Sequence, residues 1–242
     1  MTDPQTLSDR APDERIICAL DVPTTAEAAA LAERIGDAIG FYKVGLQLFA
    51  VDGMALAREL KAQGRKIFLD WKLHDIGATV EKATANLAGA DCDLLTVHAR
   101  PQVMAAAARG AAGSNMKVLG VTVLTSLTAE DLSADDHSLS PADLVERRVR
   151  QALEAGIDGV VSSPHEAARA RALADEAGRH DFLIVTPGVR PVGAALDDQA
   201  RAATPQAALQ AGATHLVIGR PITAATDPRA AAQEIAQQIA PI

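Results

Sequence analysis

The stretch IFLDWKLHDIGATV, residues 67 to 80, holds the strongest indications of fold and chemistry in this chain. It opens as an apolar run typical of a buried β-strand, and after Gly77 it continues with the period of a helix. Between these parts, Asp70, Lys72, His74 and Asp75 place four ionisable side chains within six residues. A strand, a charged turn and a helix in succession make one β-α unit.

The order of charges in this stretch predicts an ion pair. Successive side chains of a strand point to opposite faces, so Asp70 and Lys72 are expected on the same face, one pleat apart. Buried charge is stable only when it is paired, and Asp75 offers Lys72 a second carboxylate just past the strand. Residue types alone leave two interpretations open: a structural salt bridge where a strand meets solvent, or a charged group held for chemistry.

The same β-α unit repeats along the chain. Short runs rich in Val, Ile and Leu alternate with Ala-rich stretches of helical period. The predicted strands are 15–21, 41–45, 66–70, 93–98, 117–123, 158–162, 182–186 and 215–219. The predicted helices are 24–38, 52–63, 79–89, 101–112, 141–155, 164–178, 204–211 and 228–239.

Eight such units in 242 residues predict an α/β protein with a single-domain (β/α)8 barrel, the TIM barrel. Strands that are apolar on both faces belong to a parallel sheet covered by helices. The alternative, a doubly wound open sheet, has a Gly-rich turn after its first strand, whereas this chain has Asp21-Val22-Pro23 there. We expect residues 1–14 to be a disordered N-terminal tail and residues 15–242 to form the barrel.

Composition and charge exclude several classes of function. The net charge of -8 argues against general nucleic-acid binding, which needs a basic surface. The apolar runs are too short to span a membrane, and the N-terminus lacks the basic and apolar regions of a signal peptide. Cys18 and Cys92 lie in apolar segments without partners at metal-ligand spacing, so we expect reduced core cysteines in a cytoplasmic protein without a metal site.

Polar side chains collect where the predicted strands end. In a (β/α)8 barrel the active site lies at this face. The polar residues at these ends are Asp21, Lys43, Asp70, Lys72, His98, Thr122, Thr125, Ser126, Ser162, Ser163, Thr186 and Arg220. Two long loops, 125–140 and 187–203, follow the fifth and seventh strands, and we expect them to be lids or binding loops.

The loops after the last two strands predict a phosphate site. They contain Thr186-Pro187-Gly188-Val189-Arg190 and Gly219-Arg220-Pro221. Glycines let backbone N–H groups approach a phosphate closely, and an arginine can bind two of its oxygens. Each arginine alone could be a solvated surface charge, but the two together on adjacent barrel strands favour a phosphate monoester as ligand.

The segment Asp70-Trp71-Lys72-Leu73-His74-Asp75-Ile76 resembles the D-x-K-x-H-D-I signature of the orotidine 5'-phosphate decarboxylase family. Further blocks are similar to that family in the same order. They are Ala19-Leu20-Asp21, Lys43-Val44-Gly45, Val123-Leu124-Thr125-Ser126, Ser140-Pro141-Ala142, Thr186-Pro187-Gly188-Val189-Arg190, Asp198-Gln199 and Val217-Ile218-Gly219-Arg220-Pro221. The family usually continues its signature with Pro-Asn-Thr, whereas Gly77-Ala78-Thr79 stands here, which we expect to loosen the turn before the helix.

The resemblance implies decarboxylation of orotidine 5'-monophosphate to UMP, the last step of de novo pyrimidine synthesis, without a metal or organic cofactor. It implies that Lys72, Asp70 and Asp75 are catalytic, with the Lys72 ammonium protonating the carbanion at C6. It also implies a homodimer in which Asp75 and Thr79 complete the neighbouring site. The other residues that it implicates in substrate binding are Asp21 and Lys43 for the ribose, Thr125 and Ser126 for the pyrimidine, Gln199, Gly219 and Arg220 for the phosphate, and Pro187 and Arg190 in the adjoining loop.

Two alternatives remain. Mg2+-dependent sugar-phosphate lyases share this barrel and a D-x-K-x-x-D pattern; Gly77 favours them slightly, whereas His74, Gln199 and the long loop do not. The second alternative is a barrel that binds a nucleotide without catalysis, but a protein that only binds has little use for the charged set around Lys72.

We assign no catalytic role to His98 or Trp71. We expect His98 in the core or at the rim, and we expect Trp71 to pack against the helical layer.

Overall fold

A computed structural model of the chain describes residues 11–125, 127–134, 138–191 and 203–240. The strands are β1 (Ile16–Ala19), β2 (Phe41–Gly45), β3 (Lys66–Leu73), β4 (Leu94–His98), β5 (Lys117–Val121), β6 (Gly159–Val161), β7 (Leu183–Thr186) and β8 (His215–Ile218). The helices are α1 (Thr25–Ile35), α2 (Leu46–Phe49), α3 (Gly53–Ala62), α4 (Gly77–Ala88), α5 (Pro101–Ala111), α6 (Ala129–Ala134), α7 (Pro141–Ala155), α8 (Ala167–Glu176), α9 (Pro205–Gln210), α10 (Arg220–Thr223) and α11 (Pro228–Ile239).

The eight strands are parallel and form one closed barrel in chain order, with β1 paired to β8. At least one helix follows every strand. The predicted single-domain (β/α)8 barrel is therefore confirmed. None of the helices in the described ranges combines the length and apolar character needed to cross a membrane.

Side-chain caps set where several helices begin. Ser140, Thr204 and Asp227 each stand before a proline, and each side chain accepts a hydrogen bond from a backbone N–H of the first helical turn. Proline suits this position because its φ is already helical and its missing N–H would have no partner. The predicted starts at residues 141, 204 and 228 therefore lie within one residue of the observed starts of α7, α9 and α11.

Two apolar cores surround the strands. The larger one fills the space between the strands and the helices. The smaller one fills the inside of the barrel and consists of Ile17, Ala19, Phe41, Phe68, Leu94, Leu119, Val185 and Val217. Because these side chains fill the interior, the described part of the barrel has a packed centre and not a channel, and a ligand can reach the strands only from one of their ends.

The N-terminal end of the barrel is closed by polar contacts between neighbouring strands. Asp93, just before β4, accepts a hydrogen bond from the backbone N–H of Ile67 in β3 at 2.7 Å. Asp158, just before β6, accepts one from Val118 in β5 at 2.9 Å. Thr214 repeats this contact between β8 and β7. These bonds satisfy backbone donors at the end of the barrel that is opposite the expected site.

Strand β3 differs from its prediction, because it continues to Leu73 instead of ending at residue 70. Leu69 lies opposite Leu95, and Leu73 lies opposite Val97, so four steps along β3 match two steps along β4. Lys72 has a φ of 50°, a left-handed conformation that is uncommon for lysine. The expected regular alternation is therefore interrupted by a bulge, which increases local twist and redirects side chains.

Helix α4 begins at Gly77, two residues before its predicted start. Ile76, the N-cap residue, has an extended backbone, so Gly77 is the first helical residue. The departure of Gly77-Ala78 from the family pattern therefore lies inside the first turn of the helix and not in the turn before it.

Three short helices, α2, α6 and α10, were not predicted, because four to six residues are too few for a helical period to be recognised. Helix α6 lies within the first long loop. Of the second long loop, residues 192–202 lie outside the described residues. Residues 1–10 of the predicted tail also lie outside them, whereas Glu14 is described and pairs with Lys66 at 2.7 Å.

Candidate active site

A cleft of about 420 Å³ opens at the C-terminal ends of the strands. Its apolar floor includes Phe68, Val161 and Val217, which cap the barrel interior. The predicted site residues that line it are Asp21, Lys43, Asp70, Lys72, Thr125, Pro187, Arg190, Gly219 and Arg220. Residues from distant parts of the sequence meet here because every parallel strand ends at this face.

Four charged side chains form a chain across strands β1 to β3. The Lys43 Nζ lies 2.8 Å from Asp21 Oδ1 and 3.6 Å from Asp70 Oδ2. The Lys72 Nζ lies 2.9 Å from the other oxygen of Asp70, Oδ1. Negative and positive groups alternate along the chain, so Lys72 is joined to a carboxylate that is itself neutralised from its other side.

Gly45 leaves the space that this charge chain needs. A Cβ atom at position 45 would lie 2.8 Å from Lys43 Nζ and 2.9 Å from Asp21 Oδ1, so the ion pair would have to move to make room for it. The glycine in the Lys43-Val44-Gly45 block therefore lets Lys43 and Asp21 keep their observed positions.

Asp70 is held in its ionised form. Burial raises the pKa of this carboxyl group, but the ammonium groups of Lys43 and Lys72 and a hydrogen bond from Thr96 outweigh burial and leave the pKa below its usual value. Asp70 therefore carries its charge throughout the neutral pH range, and one of its carboxylate oxygens faces the Lys72 side chain at 2.9 Å.

Thr96 of β4 is a site residue that the sequence reasoning missed. Its side chain is fully buried, and its Oγ1 donates to Asp70 Oδ1 at 2.9 Å while accepting from the backbone N–H of Lys72 at 2.9 Å. The one indication of Thr96 in the sequence is a hydroxyl side chain within the apolar run Leu94 to Val97, on the strand next to β3. Threonine is common in strands, so this signal did not distinguish Thr96 from a packing residue.

Asp75 and Thr79 do not line the cleft of their own chain. Both are exposed, and within the described residues no ion pair joins Asp75 to Lys72. Asp75 Oδ1 instead accepts a hydrogen bond from the adjacent N–H of Ile76 at 2.6 Å. The expectation that Asp75 gives its own Lys72 a second carboxylate is thus not met within one chain, because Asp75 lies past the end of β3.

An exposed apolar surface surrounds this segment. Ile76 is 71% exposed and Phe49 is 54% exposed, and Leu46 is also exposed. The Phe49 ring lies 4.7 Å from the ring of Trp71, so Trp71 packs on α2 in the helical layer as predicted. Large exposed apolar side chains next to two predicted site residues are typical of a surface that another protein covers.

The predicted phosphate-binding residues lie at the β7 and β8 side of the cleft. Arg190 is largely buried, and its backbone N–H donates to the carbonyl oxygen of Ala203 at 2.9 Å, which ties the two ends of the second long loop together. Gly219 is the N-cap of α10, and Arg220 is exposed at the first position of that helix. A short extra helix after the eighth strand is a recurrent part of phosphate sites in this fold.

Two predicted site residues, Ser126 and Gln199, lie outside the described residues. The two histidines of this region pair with each other, since the rings of His74 and His98 are 5.1 Å apart. Burial and the neighbouring His74 lower the pKa of His98. Neither histidine lines the cleft, and no group of three or more metal-ligating side chains occurs in the part of the chain that is described.

Known proteins match this chain over nearly its whole length. The model of the orotidine 5'-phosphate decarboxylase / HUMPS family matches residues 14–235. Proteins named orotidine 5'-phosphate decarboxylase from Caulobacter vibrioides and Cereibacter sphaeroides are 62% and 54% identical, covering 95% and 94% of this chain and 99% and 97% of their own. The crystal structure of orotidine 5'-phosphate decarboxylase from Lactobacillus acidophilus has a TM-score of 0.81 at 36% identity and covers 94% of this chain and 100% of its own. This chain therefore belongs to the orotidine 5'-phosphate decarboxylase / HUMPS family.

Proposed function

We propose that this protein decarboxylates orotidine 5'-monophosphate to UMP and CO2, the last step of de novo pyrimidine synthesis. The names of its relatives support this substrate and product. The single observation that carries the proposal is the Lys72 ammonium, held 2.9 Å from the ionised Asp70 in a cleft that also contains Arg190 and Arg220.

The reaction demands a fixed positive charge. When the bond between C6 and the carboxylate breaks, its electron pair remains on C6 in the plane of the pyrimidine, where the ring π system cannot delocalise it. Stabilisation is then electrostatic, from groups that are oriented before the reaction begins. The Lys72 ammonium meets this need and then donates a proton to C6, after which solvent returns a proton to the amine.

The charge chain supports a reaction that needs no metal ion. One oxygen of Asp70 faces Lys72 and the other faces Lys43. A divalent cation at Asp70 would stand beside two ammonium groups, and their repulsion would oppose its binding. This arrangement favours the decarboxylase over a Mg2+-dependent sugar-phosphate lyase that would use the same carboxylate.

We assign the remaining cleft residues to substrate binding. Asp21 and Lys43 bind the ribose hydroxyls, and Thr125 and Ser126 bind the edge of the pyrimidine. The phosphate is bound by Gln199, the Gly219 backbone and Arg220, while Pro187 and Arg190 hold the adjoining loop. Binding of the phosphate group can drive closure of the loop over the substrate. The binding energy of this remote group then helps to stabilise the transition state at the reacting carbon.

The active form in this proposal is a homodimer in which Asp75 and Thr79 complete the partner's cleft. The exposed Asp75 and Thr79 and the apolar surface formed by Leu46, Phe49 and Ile76 support it. Lys72→Met and Asp75→Asn variants should each be inactive. When the two variants are unfolded, mixed and refolded together, the mixture should recover up to about one quarter of native activity. About half of the dimers are then heterodimers, and each heterodimer contains one intact site of two. No recovery would mean that Asp75 serves its own chain.

The purified protein should consume orotidine monophosphate, as followed by ultraviolet absorbance, at the same rate with and without excess EDTA. Binding of UMP without consumption of orotidine monophosphate would indicate a non-catalytic barrel, and inhibition by EDTA would indicate a metal-dependent lyase. The buried free cysteines, Cys18 and Cys92, fit the cytoplasmic location that we infer for this step.

A further inference from the structure

We propose that Thr96 is a positioning residue whose single hydroxyl holds both the carboxylate of Asp70 and the backbone of Lys72 at the bulge in β3. This inference rests on the proposed function and deepens it, because it names a residue on which the alignment of the proton donor depends. Thr96 does not line the cleft, so it acts through Asp70 and Lys72.

The two hydrogen bonds of Thr96 fix the orientation of its hydroxyl. Oγ1 donates its one proton to Asp70 Oδ1 at 2.9 Å and accepts the Lys72 backbone N–H at 2.9 Å. A hydroxyl has only one proton, so both contacts are satisfied in a single rotational state. Since Thr96 is fully buried, water does not compete for either contact.

The bulge explains why a side chain is needed at this point. Thr96 is the β4 residue between Leu95 and Val97, opposite the stretch of β3 where the register shifts. A bulge leaves a residue without its ladder hydrogen bond, and a buried N–H without an acceptor is unfavourable. The Thr96 hydroxyl supplies that acceptor to Lys72.

The same contact supports an unfavourable backbone conformation. Lys72 has a φ of 50°, and a residue other than glycine keeps such a conformation only where its surroundings hold it. This conformation directs the Lys72 side chain back to Asp70 Oδ1, the oxygen to which Thr96 also donates. One hydroxyl therefore fixes both the lysine backbone and the carboxylate oxygen that receives its ammonium group.

The test compares Thr96→Val, which keeps the shape and removes the hydroxyl, with Thr96→Ser, which keeps the hydroxyl. We expect Thr96→Val to lower kcat by about 10- to 100-fold, the range that follows from the loss of one hydrogen bond to a charged group, with little change in affinity for UMP. Thr96→Ser keeps this hydrogen bond and should have a kcat close to that of the native protein. The acid limb of the pH–rate profile should move to higher pH in Thr96→Val only, because the charged form of Asp70 loses a hydrogen bond.

Thr84→Val is the matched control. Thr84 is also fully buried, but its hydroxyl has no hydrogen-bond partner among the described residues and lies on α4, outside the cleft. This variant should retain native kcat and the native pH profile. Loss of activity in Thr84→Val equal to that in Thr96→Val would attribute the effect to general packing and overturn the proposal.

Amide hydrogen exchange gives a readout that does not depend on catalysis. The Lys72 N–H should exchange faster in Thr96→Val and remain protected in Thr96→Ser. If the native protein does not consume orotidine monophosphate, the proposed function fails, but this readout still decides the role of Thr96.

Several outcomes would overturn the proposal: a Thr96→Val variant with native kcat, equal losses in the Val and Ser variants, or unchanged exchange at Lys72. If Thr96→Val does not fold, Thr96→Cys takes its place, because cysteine has nearly the volume of threonine but its thiol is a weak hydrogen-bonding group. A Cys variant as active as the Ser variant would then overturn it.

Discussion

Replacing Lys72 by methionine tests the central group of the site. Methionine keeps an unbranched side chain of similar length and removes the ammonium. At an effective dielectric constant of about 20, a unit charge about 4 Å from the developing carbanion contributes about 4 kcal/mol, which corresponds to about 10³ in rate. Loss of the proton donor removes a further factor of about 10² to 10⁴. We therefore expect kcat/KM to fall by about 10⁵ or more.

The assay follows the ultraviolet absorbance of orotidine monophosphate at high enzyme concentration, with urea unfolding to confirm that each variant is folded. Lys61→Met is the matched control, since the Lys61 Nζ also lies 2.9 Å from a carboxylate oxygen, that of Asp93, but at the opposite end of the barrel. The control variant should keep native activity even if its stability falls. A folded Lys72→Met variant with activity within tenfold of native would refute the assignment of Lys72 as the charge that stabilises the carbanion.

Three further expectations concern stability and binding. Asp70→Asn should lower the free energy of unfolding near neutral pH, because the charged form of Asp70 is stabilised in the folded protein and its pKa there is lowered. The difference in unfolding free energy between variant and native protein should shrink as pH falls below the ordinary carboxyl value of 3.8. Urea titrations that show the same difference at every pH would contradict this. Gly77→Pro should stabilise the fold by about 0.4–1 kcal/mol, because proline suits the first helical position and restricts the unfolded chain. The corresponding rise in Tm is about 1–4 °C, and no rise on thermal unfolding would count against Gly77 as the first residue of α4. Arg220→Ala should raise KM and also lower kcat, reducing kcat/KM by about 10- to 100-fold. If steady-state kinetics show a change in KM alone, phosphate binding does not assist the chemical step.

The barrel was predictable because its strands are apolar on both faces and alternate with stretches of helical period, and several of its helices begin at side-chain caps. Ser140-Pro141 and Asp227-Pro228 mark helix starts in the sequence, and the structure has helices starting at those prolines. The end of β3 was not predictable in this way. The charges of Asp70 and Lys72 indicate that a strand ends, whereas in the folded chain the strand continues through a bulge to Leu73.

The candidate site was predictable to the extent that its residues lie at strand ends or within recognisable blocks. Asp21, Lys43 and Asp70 came from distant segments and meet in one charge chain. Thr96 was missed because its importance depends on pairing between β3 and β4, which no local pattern reveals. The separation of Asp75 from its own Lys72 likewise depends on the direction of the chain after β3, which the spacing of charges in the sequence does not determine.

The apolar floor of the cleft has different neighbours on its two sides. The charge chain of Asp21, Lys43, Asp70 and Lys72 lies toward β1 to β3, whereas Arg190 and Arg220 lie toward β7 and β8. A molecule lying across Phe68 and Val217 would therefore meet unlike surroundings at its two ends, and turning it end over end would exchange them. A cleft built in this way distinguishes between the two opposite orientations of the same ligand.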